Sequence, residues 1–226
     1  MVDVDGRTQE ATDLIRDVLR KNPGTACVTS SFQADCMVLV DLLIQEKPNI
    51  PVLFLETGYH FPETYAYRDE MAERMKLRLI NLAPKLSVSE QEAQFGRLYE
   101  TSPDRCCGMR KVEPLFAGLA PFDIWFTALR REQSPTRAGL KQVDNFKMPG
   151  GKEIVKVSPL AAWTAAEVWG YLKRRNIPLL PLYDRGYTSV GCAPCTLPPV
   201  NPEDARSGRW AGKQKLECGI HISAEK

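Results

Sequence analysis

The chain has 226 residues, of which 30 are Lys or Arg and 28 are Asp or Glu, so its formal net charge is only +2. This length suits one domain, or one domain with an appendage, and a hydrophobic content of 43% excludes a largely disordered chain. The near balance of charge excludes the strongly basic surface expected of a protein that binds duplex nucleic acid.

Apolar and amphipathic segments alternate along the first half of the chain. Their periodicity predicts, in order, helix 13–20, strand 25–30, helix 36–45, strand 52–55, a helix beginning near Pro62 and strand 77–82. The segment VLFL at 52–55 is apolar throughout, which is typical of a strand buried on both faces of a parallel sheet.

The same alternation continues to about residue 190. Two helix-capping boxes are predicted in this part, Ser87 with Glu90 and Thr164 with Glu167. Two further strands are predicted at 124–129 and 154–157. We therefore expect a doubly wound, mostly parallel α/β sheet over residues 1–190. Gly, Pro and charged residues dominate residues 191–226, which predicts an irregular C-terminal tail.

The cysteines are seven in number, and the acidic N-terminus MVDVDGRTQE has no features of a secretion signal. No apolar run approaches the roughly 18 residues of a membrane span, so we expect a soluble, cytoplasmic protein with reduced cysteines. Two close pairs, Cys106-Cys107 and Cys192-x-x-Cys195, predict four converging thiolates that hold zinc or an iron–sulfur cluster. Adjacent cysteines are unusual at zinc sites, so the first pair favours a [4Fe–4S] cluster.

Polar turns follow two of the predicted strands. Residues 30–35 (SSFQAD) lie between a strand and a helix, and Thr57-Gly58 follows the next strand. Hydroxyl groups and backbone N–H groups at the start of a helix bind anions such as phosphate. Both turns would lie at the carboxyl edge of the sheet, where open α/β sheets bind their ligands.

One lysine and one isolated cysteine add further candidate residues. Lys111 lies one helical turn beyond the first cysteine pair, so it would stand between a negative cluster and an anionic substrate. Cys218 lies in the polar segment ECGIH, which has little to bury it, so we expect an accessible thiol.

Taken together and in order, several motifs resemble one family over nearly the whole chain. They are SSFQAD, LETGYHFPET, CCGMRKVEPL, RREQSPTR, SPLAAWT, GCAPCT, GRW and ECGIH. The chain resembles the assimilatory adenylylsulfate reductases, the cluster-bearing branch of the APS/PAPS reductase family. The resemblance implies a PP-loop, adenine nucleotide α-hydrolase-like fold. It also implies a role in assimilatory sulfate reduction and cysteine biosynthesis, with adenosine 5′-phosphosulfate (APS) as the substrate.

The resemblance also implies a role for each candidate residue. Cys218 would attack the sulfur of APS, expel AMP and become an S-sulfocysteine, from which thioredoxin or a similar dithiol would release sulfite. A [4Fe–4S] cluster that does not pass electrons in turnover would be held by Cys106, Cys107, Cys192 and Cys195. Lys111 would couple the electric field of this cluster to the phosphosulfate group of the substrate. The residues implied to line the nucleotide pocket are Ser30, Thr57, Gly58 and Arg137, and those implied to close it from the tail are Arg206, Arg209 and His221.

Three other functions stay open at this point. A reductase that uses 3′-phosphoadenosine 5′-phosphosulfate (PAPS), alone or beside APS, would have the same cysteines. An ATP-cleaving PP-loop sulfurtransferase normally has SGGxDS, and the matching stretch here lacks both glycines. A non-enzymatic iron–sulfur sensor is the third alternative, and this function would not account for the segment ECGIH. The expected partners include neither nucleic acid nor membrane, and a homo-oligomer is left open.

Overall fold

The structure is a computed structural model that describes residues 3–201, 203–213 and 215–221. Within these residues, six strands form one sheet: β1 Ala26–Thr29, β2 Pro51–Leu55, β3 Arg78–Leu82, β4 Ile124–Phe126, β5 Val143–Lys147 and β6 Glu153–Val157. Their order across the sheet is β3-β2-β1-β4-β6-β5, and each neighbouring pair is parallel except β5 with β6. The mostly parallel sheet is as predicted.

Helices cover both faces of this sheet. They are α1 Val4–Lys21, α2 Ala34–Glu46, α3 Pro62–Arg74, α4 Val88–Phe95, α5 Leu98–Thr101, α6 Pro103–Cys107, α7 Glu113–Leu119 and α8 Ala165–Arg174, with a π-helical turn, Gly108–Val112, before α7. On one face α1, α2 and α8 pack together over Val28, Val52 and Phe126. On the other face α7 packs over β2 and β3 in a core that includes Leu53 and Trp125. The predicted doubly wound arrangement is confirmed.

Two helices begin at the predicted capping boxes. The Ser87 hydroxyl accepts from the N–H of Glu90 at 3.2 Å, and the Thr164 hydroxyl accepts from the N–H of Glu167 at the same distance. Each glutamate in turn accepts from the N–H of the capping residue, at 2.8 and 2.6 Å. The reciprocal bonds satisfy N–H groups that a helix start otherwise leaves unpaired.

Three of the elements that differ from the prediction have a local cause. α1 begins at Val4 because the Asp3 side chain accepts from the N–H of Gly6 at 2.9 Å and caps it. β4 ends at Phe126 and not at residue 129, because the neighbouring strand β6 ends at Val157, which pairs with Phe126. β5 was missed because this edge strand, VDNFK, is exposed at three of its five positions and so has no clear apolar alternation.

The order of the strands creates a crevice at one edge of the sheet. From β1 the chain moves outward to β2 and β3, and it then continues on the other side of β1 with β4. Open α/β sheets bind ligands beside such a reversal, at the carboxyl ends of the strands. Ser30 follows β1 at this point and Thr127 follows β4, with the Thr127 hydroxyl 2.8 Å from that of Ser158.

Beyond residue 190 the described chain forms short irregular structure. It contains a 3₁₀ turn, Ala193–Cys195, and two isolated bridges, one joining His60 to Cys192 and the other joining Thr196 to Arg209. The division into a domain at 1–190 and a tail at 191–226 stays a prediction. In the parts of the chain that the structure describes, no helix has the length and apolarity to cross a membrane.

Candidate functional site

The turn after β1 is held by bonds within the protein at the start of α2. Ser30 is buried, and its hydroxyl accepts from the N–H of Phe32 at 3.1 Å. This bond accompanies a left-handed backbone at Phe32, with φ of 56°. The N–H of Ala34, the first residue of α2, donates to the Tyr183 hydroxyl at 2.9 Å. The first N–H of α2 is therefore paired within the protein, and the anion site at this turn stays a prediction.

The second polar turn contacts the cysteines. Thr57 is fully buried, and its hydroxyl accepts from the Cys192 thiol at 3.4 Å and from the N–H of Tyr59 at 3.2 Å. Gly58 has φ of +71°, and its N–H donates to Glu56 at 2.9 Å. A Cβ at Gly58 would come within 2.6 Å of Val88, so both the backbone and the space require glycine. The turn after β2 thus joins the crevice to the cysteine region.

Arg110, which the sequence analysis missed, ties this turn to the π-helical turn. It is 3% exposed, and its Nε donates to the Thr57 carbonyl. Its Nη1 donates to the Leu86 carbonyl at 3.3 Å and to the Gln91 side-chain oxygen at 3.1 Å. The guanidinium also lies 5.1 Å from the centre of the Tyr59 ring. Arg110 therefore fixes the helix that carries Cys106 and Cys107 against the strand edge.

The fold brings the two cysteine pairs together. Cys106 and Cys107 end α6. Cys192 directly precedes a 3₁₀ turn, and Cys195 is the last residue of that turn. The turn is bound to the segment after β2, because the N–H of Ala193 donates to the carbonyl of Tyr59 at 2.7 Å. All four cysteines are free and line one cavity. Among the described residues, no set of three or more His, Cys, Asp or Glu side chains has the arrangement of a single-ion site.

The pKa values of the first cysteine pair are raised. Burial raises the pKa of Cys106, and negative charge on Cys192 and Cys195 raises it further. Burial also raises the pKa of Cys107 to about 12, although the Lys111 cation opposes this shift. A group of converging thiols in a low-dielectric region needs added positive charge before it can be fully ionised.

Lys111 provides part of that positive charge. It is 8% exposed, and it lies in the π-helical turn directly after the first cysteine pair. Burial disfavours its charge, but Cys192, Cys218 and Cys107 outweigh burial and raise its pKa. Lys111 therefore lines the cysteine cavity and is influenced by the charge of Cys218, while its predicted place between a cluster and an anionic substrate stays a prediction.

The tail returns across the π-helical turn and brings Cys218 with it. Cys218 is half-buried and free, and it borders a cleft of about 360 Å³. The other residues that line this cleft are Asp104, Gly108, Val112, Phe116, Pro149, Lys215, Glu217 and Gly219. Ile220 packs on the core between α7 and the sheet, which holds the tail on this face. The thiol thus lies at the boundary between the protein and an open cleft.

Two of the predicted arginines meet at a carboxylate beside Cys218. Arg137 donates to both oxygens of Glu217 at 3.0 Å, and Arg206 donates to the same carboxylate at 3.4 Å. Arg206 also donates to the carbonyl of Leu216 at 3.0 Å. Such bidentate Arg–carboxylate geometry is also the geometry by which arginine binds phosphate.

The other two predicted tail residues, His221 and Arg209, make different contacts. The His221 ring stacks on Trp125, with centres 5.5 Å apart and an angle of 16°. Burial, followed by the charges of Lys156 and Arg137, lowers the pKa of His221 well below its usual value, so this imidazole is neutral. Arg209 lies apart from Glu217, because it packs over Trp210 and donates to the Val190 carbonyl at 3.2 Å.

Lys156 is a second buried cation that sequence reasoning missed. It lies in β6, is 7% exposed, and its Nζ is 3.3 Å from the carbonyl of His221. The segment EIVKV contained a signal, because alternation places this lysine on the same face as the core residue Ile154. A charge at a core-facing position of a central strand is the pattern that could have identified it.

These features define an α/β protein with a ligand crevice at the reversal of its sheet, a cavity lined by four cysteines and a tail that presents a thiol among cations. Residues 25–198 match the sequence model of the phosphoadenosine phosphosulfate reductase domain. The match covers more than half of the chain, so the chain belongs to the phosphoadenosine phosphosulfate reductase family.

Relatives and a solved structure support this assignment. The chain is 42% identical over 224 residues to the adenosine 5′-phosphosulfate reductase of Geobacillus kaustophilus, covering 97% of this chain and 93% of that protein. It is 44% identical over 198 residues to the phosphoadenosine 5′-phosphosulfate reductase of Gloeobacter violaceus, covering 86% and 81%. The phosphate complex of the Candida auris PAPS reductase aligns with a TM-score of 0.72 at 24% identity, covering 86% of this chain and 96% of that one. The predicted adenine nucleotide α-hydrolase-like fold is confirmed.

Proposed function

We propose that this chain reduces APS to sulfite and AMP in sulfate assimilation, the activity for which relatives at 42–46% identity are named. The observation that carries the proposal is the position of Cys218. Its half-buried thiol lies within electrostatic reach of Lys111 and next to Glu217, which binds two arginines. A nucleophile that approaches a multiply charged phosphosulfate needs cations of this kind around it.

The chemistry begins with attack by the Cys218 thiolate on the sulfur of the sulfate group. The bond from that sulfur to the bridging oxygen breaks, its electron pair stays on the oxygen, and AMP leaves. A thiolate of thioredoxin or a similar dithiol then attacks Sγ of the S-sulfocysteine, which forms a mixed disulfide and releases sulfite. The second thiol of the dithiol displaces Cys218 and restores it. The dithiol thus supplies the two electrons that reduce sulfate to sulfite.

The cations at the tail would bind the substrate anion in place of Glu217. Arg137 and Arg206 already hold a carboxylate in the geometry that suits an oxyanion. Their charge would stabilise the AMP phosphate as it gains negative charge in the transition state. His221 and Arg209 would close the site from the tail, and Ser30, Thr57 and Gly58 would hold the nucleotide at the crevice.

The four cysteines fit a [4Fe–4S] cluster, and we propose that they hold one. Four free thiols line one cavity together with Arg110 and Lys111, and no carboxylate is among the described residues that line it. Thiolate ligands surrounded by cations and shielded from water are the donor set that such clusters use. When bound, the cluster would supply a fixed local charge near Lys111 rather than electrons for the reaction.

The proposal is tested by measuring the intact mass of anaerobically purified protein mixed with APS and no reductant. We expect an added sulfo group on the wild-type chain and on Cys36→Ser, a control for the other half-buried cysteine outside the predicted cluster ligands. We expect no adduct on Cys218→Ser. Reduced thioredoxin should remove the group and release sulfite.

Substitution of PAPS in the same experiment tests the second candidate, which the Gloeobacter violaceus relative favours by its name. An adduct from PAPS at a rate similar to that from APS would make this chain a dual-specificity reductase. No adduct from either nucleotide, on protein with its full iron content, would overturn the proposed reaction. Iron and acid-labile sulfide analysis tests the cluster separately, with about four of each expected per chain.

A further inference from the structure

Lys156 is buried on the face of the sheet that the tail covers, in an aromatic pocket formed by the side chains of Trp125 and Phe146. It pairs in register with Trp125 of β4. Its Nζ lies 5.0 Å from the centre of the Trp125 ring and 4.8 Å from that of Phe146, so two aromatic rings flank the cation. The His221 ring, stacked on Trp125, brings the tail over the same pocket.

The protein gives this ammonium group few acceptors. Within the described parts of the chain, its Nζ makes one hydrogen bond, to the carbonyl of His221 at 3.3 Å. A lysine has three N–H donors, and a buried charge with unpaired donors is costly. Asp144 pairs in register with Lys156 on β5, but it is exposed and forms its ion pair with Lys141 at 3.5 Å.

Charged groups of both signs lie near Lys156. Burial lowers the pKa of Lys156 to about 8; the negative charge of Asp144 opposes this shift, and the smaller effect of Arg137 adds to it. His221, which covers the pocket, is neutral and adds no negative charge. Glu217 compensates Arg137 and Arg206 but does not bond to Lys156. Among the described residues no carboxylate bonds to the Lys156 ammonium group, so a ligand anion could accept its unpaired N–H groups.

We propose that Lys156 binds the phosphosulfate group of the nucleotide substrate, as a third cation beside Arg137 and Arg206. This inference rests on the function proposed above and adds a binding residue to the same site. Oxygen atoms of the anion would accept the N–H groups that lack protein acceptors, and burial would strengthen those bonds. Since His221 both covers Lys156 and follows Cys218 by three residues, anion binding there would also favour the closed position of the tail.

A structural role is the alternative, in which Lys156 serves to anchor the tail through the His221 carbonyl. Both roles predict lower stability when the lysine is replaced. Only anion binding predicts a loss of affinity that depends on the charge of the ligand. ADP and adenosine therefore distinguish the two roles, because they share the nucleoside and differ in the phosphates.

The experiment is calorimetric titration of ADP and of adenosine into the wild-type chain, Lys156→Met and Lys173→Gln. Lys173 is an exposed lysine of α8 and is the matched control for loss of one positive charge. We expect Lys156→Met to weaken ADP binding about tenfold or more and to leave adenosine binding within about twofold. Lys173→Gln should bind both ligands as the wild type does.

A Lys156→Arg variant tests the same inference in a chain that keeps the charge. Since the pKa of Lys156 is about 8, ADP affinity of the wild type should fall as the pH rises above 8. The arginine variant should lose less affinity, because a guanidinium stays charged throughout that range. This comparison decides the matter even if Lys156→Met does not fold.

The outcomes separate this inference from the proposed function. Equal ADP affinity in the wild type and Lys156→Met, or an equal loss for ADP and adenosine, would overturn the inference alone. Parallel pH profiles of the wild type and Lys156→Arg would do the same. A wild-type chain that binds no ADP and forms no adduct with APS would overturn both.

Discussion

The cysteine region and the segment around Cys218 line two different cavities beside the π-helical turn, and they are held in different ways. Around the cysteines, Arg110, Thr57 and Gln91 are buried and joined by hydrogen bonds that exclude water. Around Cys218, half-buried residues are joined by ion pairs between Glu217 and two arginines. Among the described residues, the hydrogen bonds of Arg110 go to carbonyl and amide oxygens, whereas the arginines near Cys218 bond to a carboxylate that a ligand anion could replace.

The difference separates two requirements of the proposed reaction. A cluster site must keep its ligands in one arrangement. Buried hydrogen bonds do this, because any other arrangement would leave buried polar groups without partners. A thiol that reacts first with a nucleotide and then with a protein dithiol must be covered in one step and exposed in the next. Ion pairs at a partly exposed site are weak enough to be exchanged for a substrate anion.

Replacement of Arg110 should give the largest effect on the cysteine side. Arg110→Met leaves the carbonyls of Thr57 and Leu86 and the Gln91 oxygen without their buried donor. We expect the free energy of unfolding to fall by about 3 kcal/mol or more, because each buried unsatisfied group costs on the order of 1 kcal/mol or more. The iron content of the purified chain should fall with it, since the same side chain fixes the first cysteine pair.

Arg97→Met is the matched control for that variant. Arg97 is exposed and forms an ion pair with Glu100 at 3.6 Å, so its removal should change the unfolding free energy by less than about 1 kcal/mol. Urea unfolding and iron analysis are measured on both variants. Full iron content in a folded Arg110→Met chain would show that the cysteine region does not depend on this side chain.

Gly58 tests the turn that links the crevice to the cysteines. Gly58→Ala introduces a Cβ at positive φ and within 2.6 Å of Val88, so strain and a clash act together. Gly96 has nearly the same φ, +68°, but nothing lies within 4 Å of its Cβ position. We expect Gly96→Ala to lower the unfolding free energy by about 1 kcal/mol and Gly58→Ala by about 2 to 3 kcal/mol. Equal losses in urea unfolding would mean that the packing of this turn is not tight.

Much of the fold could be predicted because local signals agree with the tertiary arrangement. VLFL gives a buried strand, the capping boxes fix two helix starts, and alternation of helix and strand gives a parallel sheet. The edge strand β5 could not be predicted, because three of its five residues are exposed and only Phe146 is buried, so its sequence has no clear apolar alternation. Its pairing with β6 depends on the neighbouring strand and not on its own sequence.

The candidate site was predictable where residues cluster in sequence and not where the fold alone joins them. The cysteine pairs and Cys218 could be selected from spacing and composition. Arg110 and Lys156 resembled ordinary surface cations, because their importance comes from burial that the sequence does not display. The pairing of Arg137 with Glu217 joins residues 80 positions apart, and no local pattern records such a contact.

The carboxylate of Glu217 should give the smallest of these effects, with the opposite sign. If this carboxylate occupies the arginines that bind the substrate anion, Glu217→Gln frees them while keeping the size of the side chain. We expect the affinity for AMP to rise about threefold to tenfold, because the ion pairs that compete with the nucleotide are partly exposed and each contributes on the order of 1 kcal/mol or less. Calorimetric titration of AMP measures the change without turnover.

Glu203→Gln is the control, because Glu203 is an exposed carboxylate of the same tail with no ion pair among the described residues. It removes the same charge, so any general electrostatic gain in AMP affinity appears in both variants and can be subtracted. Added salt should reduce the difference between wild type and Glu217→Gln, since screening weakens the competing ion pairs. Weaker AMP binding by Glu217→Gln would reverse the interpretation. Glu217 would then be a residue that orients Arg137 and Arg206 for the substrate, and the tail would be as fixed as the cysteine region.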